Sequence, residues 1–394
     1  MAERGPPIYL DNNATTPVDP RVREAMLPFL GERFGNPSSR SHRYGWEADE
    51  AVEEARKQVA ALLGAEPREI VFTSGATESN NLALKGLAEA REEGGGHIVS
   101  SPTEHPSVLD TLAYLERRGF SVTLVAVDGF GRVTPEAVER ALRPDTFLVS
   151  FMAANNEIGT VHPVREIGAL CARRGVLLHT DATQALGKVP FDVRADGVHL
   201  ASLTAHKMYG PKGSGALYVR RRDPEVRLAL QLHGGGHERG MRSGTLGVPG
   251  IVGLGKACAL AASEREAEAP RCAALRDALF ARLRDAIPDL HRNGHPSECL
   301  PGTLNVSIPG VESEALMLSL PELALSSGAA CSSGSLEPSA TLKAIGLAQE
   351  LARCPVRFGI GRFTTPGEVE RAAALVAAAV TRLRAGSRRG APSR

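Results

Sequence analysis

Four short segments hold residues able to do covalent or acid–base chemistry. In "SLTAHKMYGPKGSGALYV" (202–219), Lys207 lies between His206 and Tyr209, ahead of Gly210 and Pro211. A lysine in a largely apolar cleft has a lowered pKa and suits Schiff-base chemistry, whereas a lone lysine is more often a surface charge. In "HTDATQALGK" (179–188), Asp181 stands just past an apolar run, as an ion-pair partner or as the acid of a site. In "TSGATESNN" (73–81), a strand ends, Gly75 permits a tight turn and a helix begins. Ser74 has no acid three positions on, so no capping box takes up the helix amides, and a helix N-terminus with free N–H groups is an anion site. An ordinary capped helix is the equal alternative, and the glycine pattern is neither a P-loop nor a dinucleotide fingerprint. In "SSGAACSSGSLEPS" (326–339), Cys331 sits among small residues that offer nothing to bury it, although free thiols are among the most buried side chains.

An anion cradle, a carboxylate and a lysine, each after a strand, describe one cofactor. Pyridoxal phosphate needs a phosphate site, an acid that keeps its ring nitrogen protonated, and a lysine that holds it as an imine.

The elements that must position these groups alternate from about residue 48. "ADEAVEEARKQVAALLG" puts Ala51, Val52, Ala55, Val59, Leu62 and Leu63 on one helical face, closed by Gly64. "EIVFT" (69–73), "HIVS", "SVTLVAV", "TFLVSFM", "VLLHTD", "VHLASL" and "GALYV" read as strands. Helices are expected from Ala76, from Ser107, from Thr134-Pro135, and from Pro163 to Arg174 with Gly175 as the stop. Apolar strands alternating with amphipathic helices predict an α/β fold with a largely parallel sheet covered on both faces. Ligands of such sheets bind at the carboxyl ends of the strands, which gathers "IVFT", "LLHTD" and "HLASLT" around one cleft. After about residue 262 the texture changes to a long charged helical stretch. "GTLNVSI", "ELALSSG" and "CPVRFGI" follow as strands of a smaller layer. Thr365, Pro366 and Glu368 form a capping box that opens a final helix.

The chain has 394 residues, which favours two domains. Its 46 Lys and Arg against 45 Asp and Glu give no field to recruit nucleic acid. Six cysteines without a CxxC pair imply reduced thiols in a cytoplasmic setting. Cys171, Cys258 and Cys272 fall at helical spacing among apolar neighbours and read as core, while Cys299 and Cys354 have no evident role. His233 with His237, and His291 with His295, lack the acids or cysteines of a metal site, so no metal is expected. The longest apolar run, "AAALVAAAV" (372–380), is far short of the roughly 20 residues of a membrane span. "RLRAGSRRGAPSR" at the end reads as a disordered, solvated tail.

From "IYLDNNATTPV" to "VRFGIGRFTT" the chain resembles the cysteine desulfurases of the NifS/IscS type, in the class V aminotransferase group. The resemblance rests on "FGNPSSRSH", "EIVFTSGATESNN", "TEHPSVLD", "NNEIG", "HTDATQALGK", "HKMYGPKG", "HGGGHERGMRSGT" and "SSGAACSSGSLEPS". It implies fold type I of the pyridoxal-phosphate-dependent transferases: a large domain (15–262) on a mostly parallel seven-stranded sheet, and a smaller α+β domain (1–14 and 263–394) that carries the cysteine loop. It implies that Lys207 forms the imine, that Asp181 pairs with the ring nitrogen, and that His105 stacks on the ring and shuttles protons. Gln184 and Asn156 would contact ring substituents. Ala76, Thr77, Thr204 and His206 would hold the phosphate, completed in a homodimer by Thr245 of the partner subunit. Arg357 would bind the carboxylate of L-cysteine, with Asn156 beside it, and Cys331 would be the nucleophile. A free cysteine is only a few per cent thiolate at neutral pH, so a neighbour such as His105 must help it. The products would be L-alanine and a persulfide passed to an acceptor such as an iron–sulfur scaffold protein, or used for tRNA or cofactor thiolation.

Thr204 and Ala205 stand where the family usually has Ser and Gly, which keeps the hydroxyl. Ala330 replaces a frequent serine beside Cys331. The short arginine-rich tail lacks the longer segment that docks a scaffold in IscS-like members. The rival readings are a selenocysteine lyase, which shares the whole site, an ordinary class V aminotransferase, which has no use for Cys331, and a non-catalytic sulfur carrier, which has no use for Lys207, Asp181 and His105.

Overall fold

The computed structural model describes residues 7–91, 94–328 and 339–389. The chain begins with β1 (Ile8–Tyr9), α1 (Pro20–Met26) and α2 (Arg43–Leu63). In α2 the residues Val52, Ala55, Val59 and Leu63 are buried, one face of a 3.6-residue repeat, with Ala51 and Leu62 half-buried at its margins. Gly64 ends the helix in the left-handed conformation (φ 69°) that glycine adopts without steric cost.

The alternation then runs β2 (Ile70–Thr73), α3 (Ala76–Glu89), β3 (His97–Ser100), α4 (Pro106–Arg117), β4 (Ser121–Leu124), α5 (Pro135–Ala141), β5 (Thr146–Ser150), α6 (Val164–Arg174), β6 (Leu177–Asp181), β7 (Leu200–Thr204) and β8 (Gly215–Val219). These strands form a seven-stranded sheet in the order β2-β8-β7-β6-β5-β3-β4. All neighbours pair in parallel except β8, which is antiparallel to both β2 and β7. Strands β5 to β8 are buried along nearly their whole length, as expected for a sheet covered on both faces. β4 is shorter than its apolar run predicts. It lies at the edge and pairs only with the four residues of β3, and its side chains are largely exposed.

Beyond β8 the long helix α7 (Val248–Ala286) leads to β9 (His291–Asn293), β10 (Thr303–Ser307), α8 (Ser313–Leu318), β11 (Leu323–Ala324), α9 (Ala340–Ala344), α10 (Gln349–Ala352), β12 (Pro355–Gly359) and α11 (Pro366–Arg389). β12, β10 and β9 make an antiparallel sheet, and β1 pairs in parallel with β11. The change of texture near residue 262 falls inside α7, which continues unbroken across it. The cores nevertheless part along this helix. Val248, Ile251, Leu254, Cys258 and Ala261 join the core of the large sheet, while Cys272, Leu275, Leu279 and Leu283 join a second core with Ile8, Leu10, Val306 and Phe358.

The disordered tail expected from "RLRAGSRRGAPSR" is overturned for residues 382–389, which continue α11. Leu383 packs against the second core, and Arg384 donates to Asp289 (2.9 Å) and to the carbonyl of Pro309 (2.6 Å), so the helix has reason to continue past its last small residues. Its start is the expected capping box: Thr365 N–H donates to Glu368 (2.8 Å) and Glu368 N–H to Thr365 Oγ1 (3.3 Å). Among the described residues, no helix is long and apolar enough to cross a membrane.

Candidate active site

The carboxyl ends of β2, β3, β5, β6 and β7 open onto one cleft of about 820 Å³, closed on its far side by Arg357 of β12 and by Gly328 and Ser339. Ala76, Thr77, His105, Asn156, Asp181, Gln184, Thr204, His206, Lys207 and Arg357 all line it. Its size suits a small cofactor together with its substrate.

Lys207 follows β7 in a single 3₁₀ turn (Ala205–Lys207). Its Nζ donates to the carbonyls of Asn13 (2.7 Å) and Ala14 (2.6 Å), so the segment after β1 holds the lysine at the cleft wall. The same segment holds His206, whose Nδ1 lies 3.2 Å from Thr15 Oγ1. Burial, with the charges of Lys207 and Lys212 adding to it, pushes the His206 pKa down to about 4, so this imidazole is neutral at pH 7.

At the opposite wall, Gly75 precedes α3 with φ 152° and ψ 179°, a conformation open essentially to glycine alone. A Cβ at the facing Gly215 would come within 2.6 Å of Gly75 Cα, so two glycines let β2 and β8 close together here. No side chain caps α3. The amides are not wholly untouched by acid, however: Glu78, four residues after Ser74, accepts from the Ser74 amide (2.8 Å). Burial works against the Glu78 carboxylate, but Arg242 at 2.8 Å and Ser74 outweigh it and hold its pKa below the usual range. Thr204 Oγ1 completes this wall and donates to the Ser214 carbonyl (3.2 Å).

Asp181 at the end of β6 is buried. It accepts from Asn80 Nδ2 (2.8 Å) and from the Thr183 amide (3.0 Å), which fixes its plane. His105 caps α4, and its Nδ1 accepts from the Ser107 amide (3.1 Å). That bond assigns the ring proton to Nε2. Burial lowers the His105 pKa against the pull of Asp181, so the ring is neutral near pH 7. Its neighbour Glu104 accepts from the Met152 amide at Oε1 (2.9 Å), while Oε2 is buried and has no partner among the described residues. Burial pushes the Glu104 pKa up to about 8, making it a neutral acid at the cleft wall. Glu104 was not singled out from the sequence, although an acid four residues beyond the apolar strand β3 and beside His105 was a signal.

Arg357 is almost fully buried. Nη1 donates to the carbonyls of Asn156 (2.9 Å) and Gly328 (3.2 Å), and Nη2 to Asp11 Oδ1 (2.8 Å). Its Nε has no partner among the described residues. The Nε–Nη2 edge therefore keeps donors for a carboxylate. Beside it, Glu157 accepts from Ser339 Oγ (2.5 Å) and Thr341 Oγ1 (3.3 Å). Asp11 and Glu157 carried no sequence signal, because their partners lie hundreds of residues away in the chain. Gln184 donates to the Asn13 carbonyl (2.9 Å) and accepts from Lys188 (2.8 Å). Thr245 is exposed, three residues beyond Arg242, and lines no part of this chain's cleft. Cys331 lies outside the described residues, between Gly328 and Ser339.

The sheet order and the strand-end lysine are those of the fold-type I pyridoxal-phosphate-dependent transferases. The family model for class-V aminotransferases matches residues 8–372. The chain is 56% identical over 378 residues to the cysteine desulfurase IscS of Anaeromyxobacter sp. (strain K), covering 96% of this chain and 93% of that relative. Among solved structures, a NifS-like protein superposes with a TM-score of 0.89 at 39% identity, covering 95% of this chain and 99% of the other. A structure of SspA in complex with cysteine superposes with a TM-score of 0.80 at 39% identity, covering 91% of this chain and 99% of the other. The chain belongs to the class-V aminotransferase family and, within it, to the cysteine desulfurases of the NifS/IscS type.

Proposed function

We propose that this chain is a pyridoxal-phosphate-dependent cysteine desulfurase that moves the sulfur of L-cysteine onto Cys331. The observation that carries the reading is the buried Arg357, which lines the same cleft as Lys207 and Asp181 and whose Nε has no partner among the described residues. A buried N–H without a partner is costly, so a ligand oxygen is its natural complement. The residues fit the cofactor: an uncapped helix start for the phosphate, an acid held in plane for the ring nitrogen, and a lysine for the carbonyl carbon.

When bound, pyridoxal phosphate supplies an electron-withdrawing ring that stabilises negative charge at the substrate Cα. Ala76, Thr77, Thr204 and His206 would hold its phosphate, Asp181 would keep its ring nitrogen protonated, and Asn156 and Gln184 would meet its substituents. His105 would lie against the ring, with its own proton at Nε2. Lys207 would hold the carbonyl carbon, and its Nζ would serve as the base for the substrate Cα proton. Arg357 orients the substrate carboxylate. The Cβ–S bond then breaks as an S–S bond forms at Cys331, so L-cysteine and the thiol give L-alanine and a persulfide with no external redox partner. An acceptor protein, such as an iron–sulfur scaffold, takes the persulfide sulfur in the cytoplasm. We assign residues 15–262 to a large domain and residues 1–14 with 263–394 to a small one, a division supported by the two hydrophobic cores that part along α7.

The test is to assay alanine and sulfide from L-cysteine, and alanine and selenide from L-selenocysteine, with the yellow purified protein. Production of alanine only from selenocysteine would make it a selenocysteine lyase, and a colourless protein would be a sulfur carrier. Arg357→Lys should keep the visible absorbance but lower kcat/KM for cysteine roughly 10- to 100-fold, because an ammonium cannot present the two-pronged edge. An unchanged kcat/KM would place the carboxylate elsewhere.

The enzyme acts as a homodimer in which Thr245 of the partner subunit completes the phosphate site. Leu27, Leu30, Phe34, Tyr44 and Trp46, clustered in sequence, are each more than half exposed in the single chain, as a face covered by a second copy would be. Mixing Thr245→Ala chains with Lys207→Ala chains should restore activity, since each heterodimer then has one intact site. If mixing restores none, the shared site is wrong.

A further inference from the structure

Lys188 is a second lysine close to Lys207 that the reaction above does not use. It lies four residues after Gln184, and its Nζ donates to Gln184 Oε1 at 2.8 Å. The other end of that amide, Nε2, donates to the Asn13 carbonyl at 2.9 Å, the same oxygen that Lys207 Nζ reaches at 2.7 Å. A carbonyl oxygen only accepts, so the end of the Gln184 amide facing Asn13 is the nitrogen, and the oxygen is left to the N–H donors of Lys188. That sets the amide orientation, which the shape of the side chain alone cannot. Nε2 has two hydrogens and Asn13 takes one, so the second is a donor for a ligand.

The placement of the two residues separates their roles. Gln184 lines the cleft and Lys188 does not. Lys188 instead lines a small enclosed space on the other side of Lys207, with Glu268 and Arg362. Burial, with the charge of Lys207 adding to it and Glu268 opposing, pulls the Lys188 pKa down to about 7. A neutral amine retains N–H donors, so the hold on Gln184 does not depend on the charge.

We propose that Lys188 is a positioning residue that locks the Gln184 amide with its N–H groups toward the bound cofactor, so that the site selects for an acceptor oxygen on the ring next to the carbonyl that Lys207 engages. In pyridoxal phosphate that acceptor is the phenolic oxygen. Without Lys188 only the Asn13 carbonyl opposes a flip of the amide, and in the flipped amide its own oxygen faces the phenolic oxygen, acceptor against acceptor. The proposal rests on the cofactor assignment made above.

The test compares apo-protein affinity for pyridoxal phosphate and for its 3-deoxy analogue, which lacks that oxygen. Lys188→Met should weaken binding of pyridoxal phosphate about tenfold and leave the analogue unchanged, as expected for one hydrogen bond of ordinary strength. Lys188→Arg, which keeps a donor, should restore the preference and also serves if the methionine variant folds poorly. In a Gln184→Leu background, Lys188→Met should cost nothing further. Equal losses for both compounds, no loss for either, or a full loss that persists in the Gln184→Leu background overturns the role of Lys188. Failure of the parent protein to bind either compound overturns the cofactor assignment and this proposal with it.

Discussion

Lys207→Ala is expected to hold pyridoxal phosphate only non-covalently and to lose desulfurase turnover by at least about 10⁴-fold, since one side chain both binds the carbonyl carbon and moves the Cα proton. Borohydride reduction followed by peptide mass spectrometry should find pyridoxyl-lysine at residue 207 in the parent and at no lysine in the variant. The structure makes this a discriminating test, because Lys207 has neighbours. Lys212 and Lys343 line the same cleft, and Lys188 lies behind it. Each is separated from the role by its surroundings. Lys188 is committed to Gln184 Oε1, and Lys212 and Lys343 are exposed. Lys207 alone is carried by the turn at the end of β7, with its Nζ on the carbonyls of Asn13 and Ala14. Those two carbonyls fix the amine at the cleft wall, where a cofactor carbonyl carbon would meet it. A pyridoxyl group on Lys212 or Lys188 in the variant would show that the cleft, rather than this residue, selects the lysine.

Much of this arrangement was legible in the chain because its signals are local. A buried strand, a turn and a helix start are each written within about ten residues, so the ends of β2, β6 and β7 could be placed at one cleft from their patterns alone. What stayed hidden depends on pairs far apart in sequence. Nothing near Asp11 announces that it will meet Arg357, and nothing near Glu157 announces Ser339. Asn13 is the clearest case. Its backbone carbonyl accepts from both Lys207 and Gln184, a contact that no side-chain pattern encodes. Local reading also erred where a neighbour decides the outcome. β4 is cut short by the length of β3, and the arginine-rich end of α11 stays helical because Asp289 and Pro309 are there to receive Arg384.

Cys331→Ser is the second large effect. The described chain stops at Gly328 and resumes at Ser339, and both residues line the cleft. Three residues of chain reach at most about 11 Å, so covalent geometry keeps Cys331 within that distance of Gly328. The Gly328 carbonyl accepts from Arg357 Nη1 (3.2 Å), the side chain assigned to the substrate carboxylate, so this chain segment leaves the cleft beside that group. The other cysteines are poor candidates. Burial pushes the thiols of Cys171 and Cys258 up to about 12, and those of Cys272 and Cys354 up to about 11, which leaves almost no thiolate at pH 7. Cys299 is half-buried, with Arg276 Nη1 at 3.0 Å from its sulfur, and Cys299→Ser is the control that should retain activity. The Cys331→Ser protein should remain yellow and should still change its spectrum when cysteine is added, because Lys207, Asp181 and Arg357 are intact. It should form no persulfide, and alanine production should fall at least about 10³-fold, since a hydroxyl is not ionised at neutral pH and an adjacent base cannot supply a sulfur nucleophile. Mass spectrometry of the parent after a cysteine pulse should find the extra sulfur on Cys331. Extra sulfur on Cys299 or Cys354 instead, or undiminished alanine from the serine variant, would remove Cys331 from the mechanism.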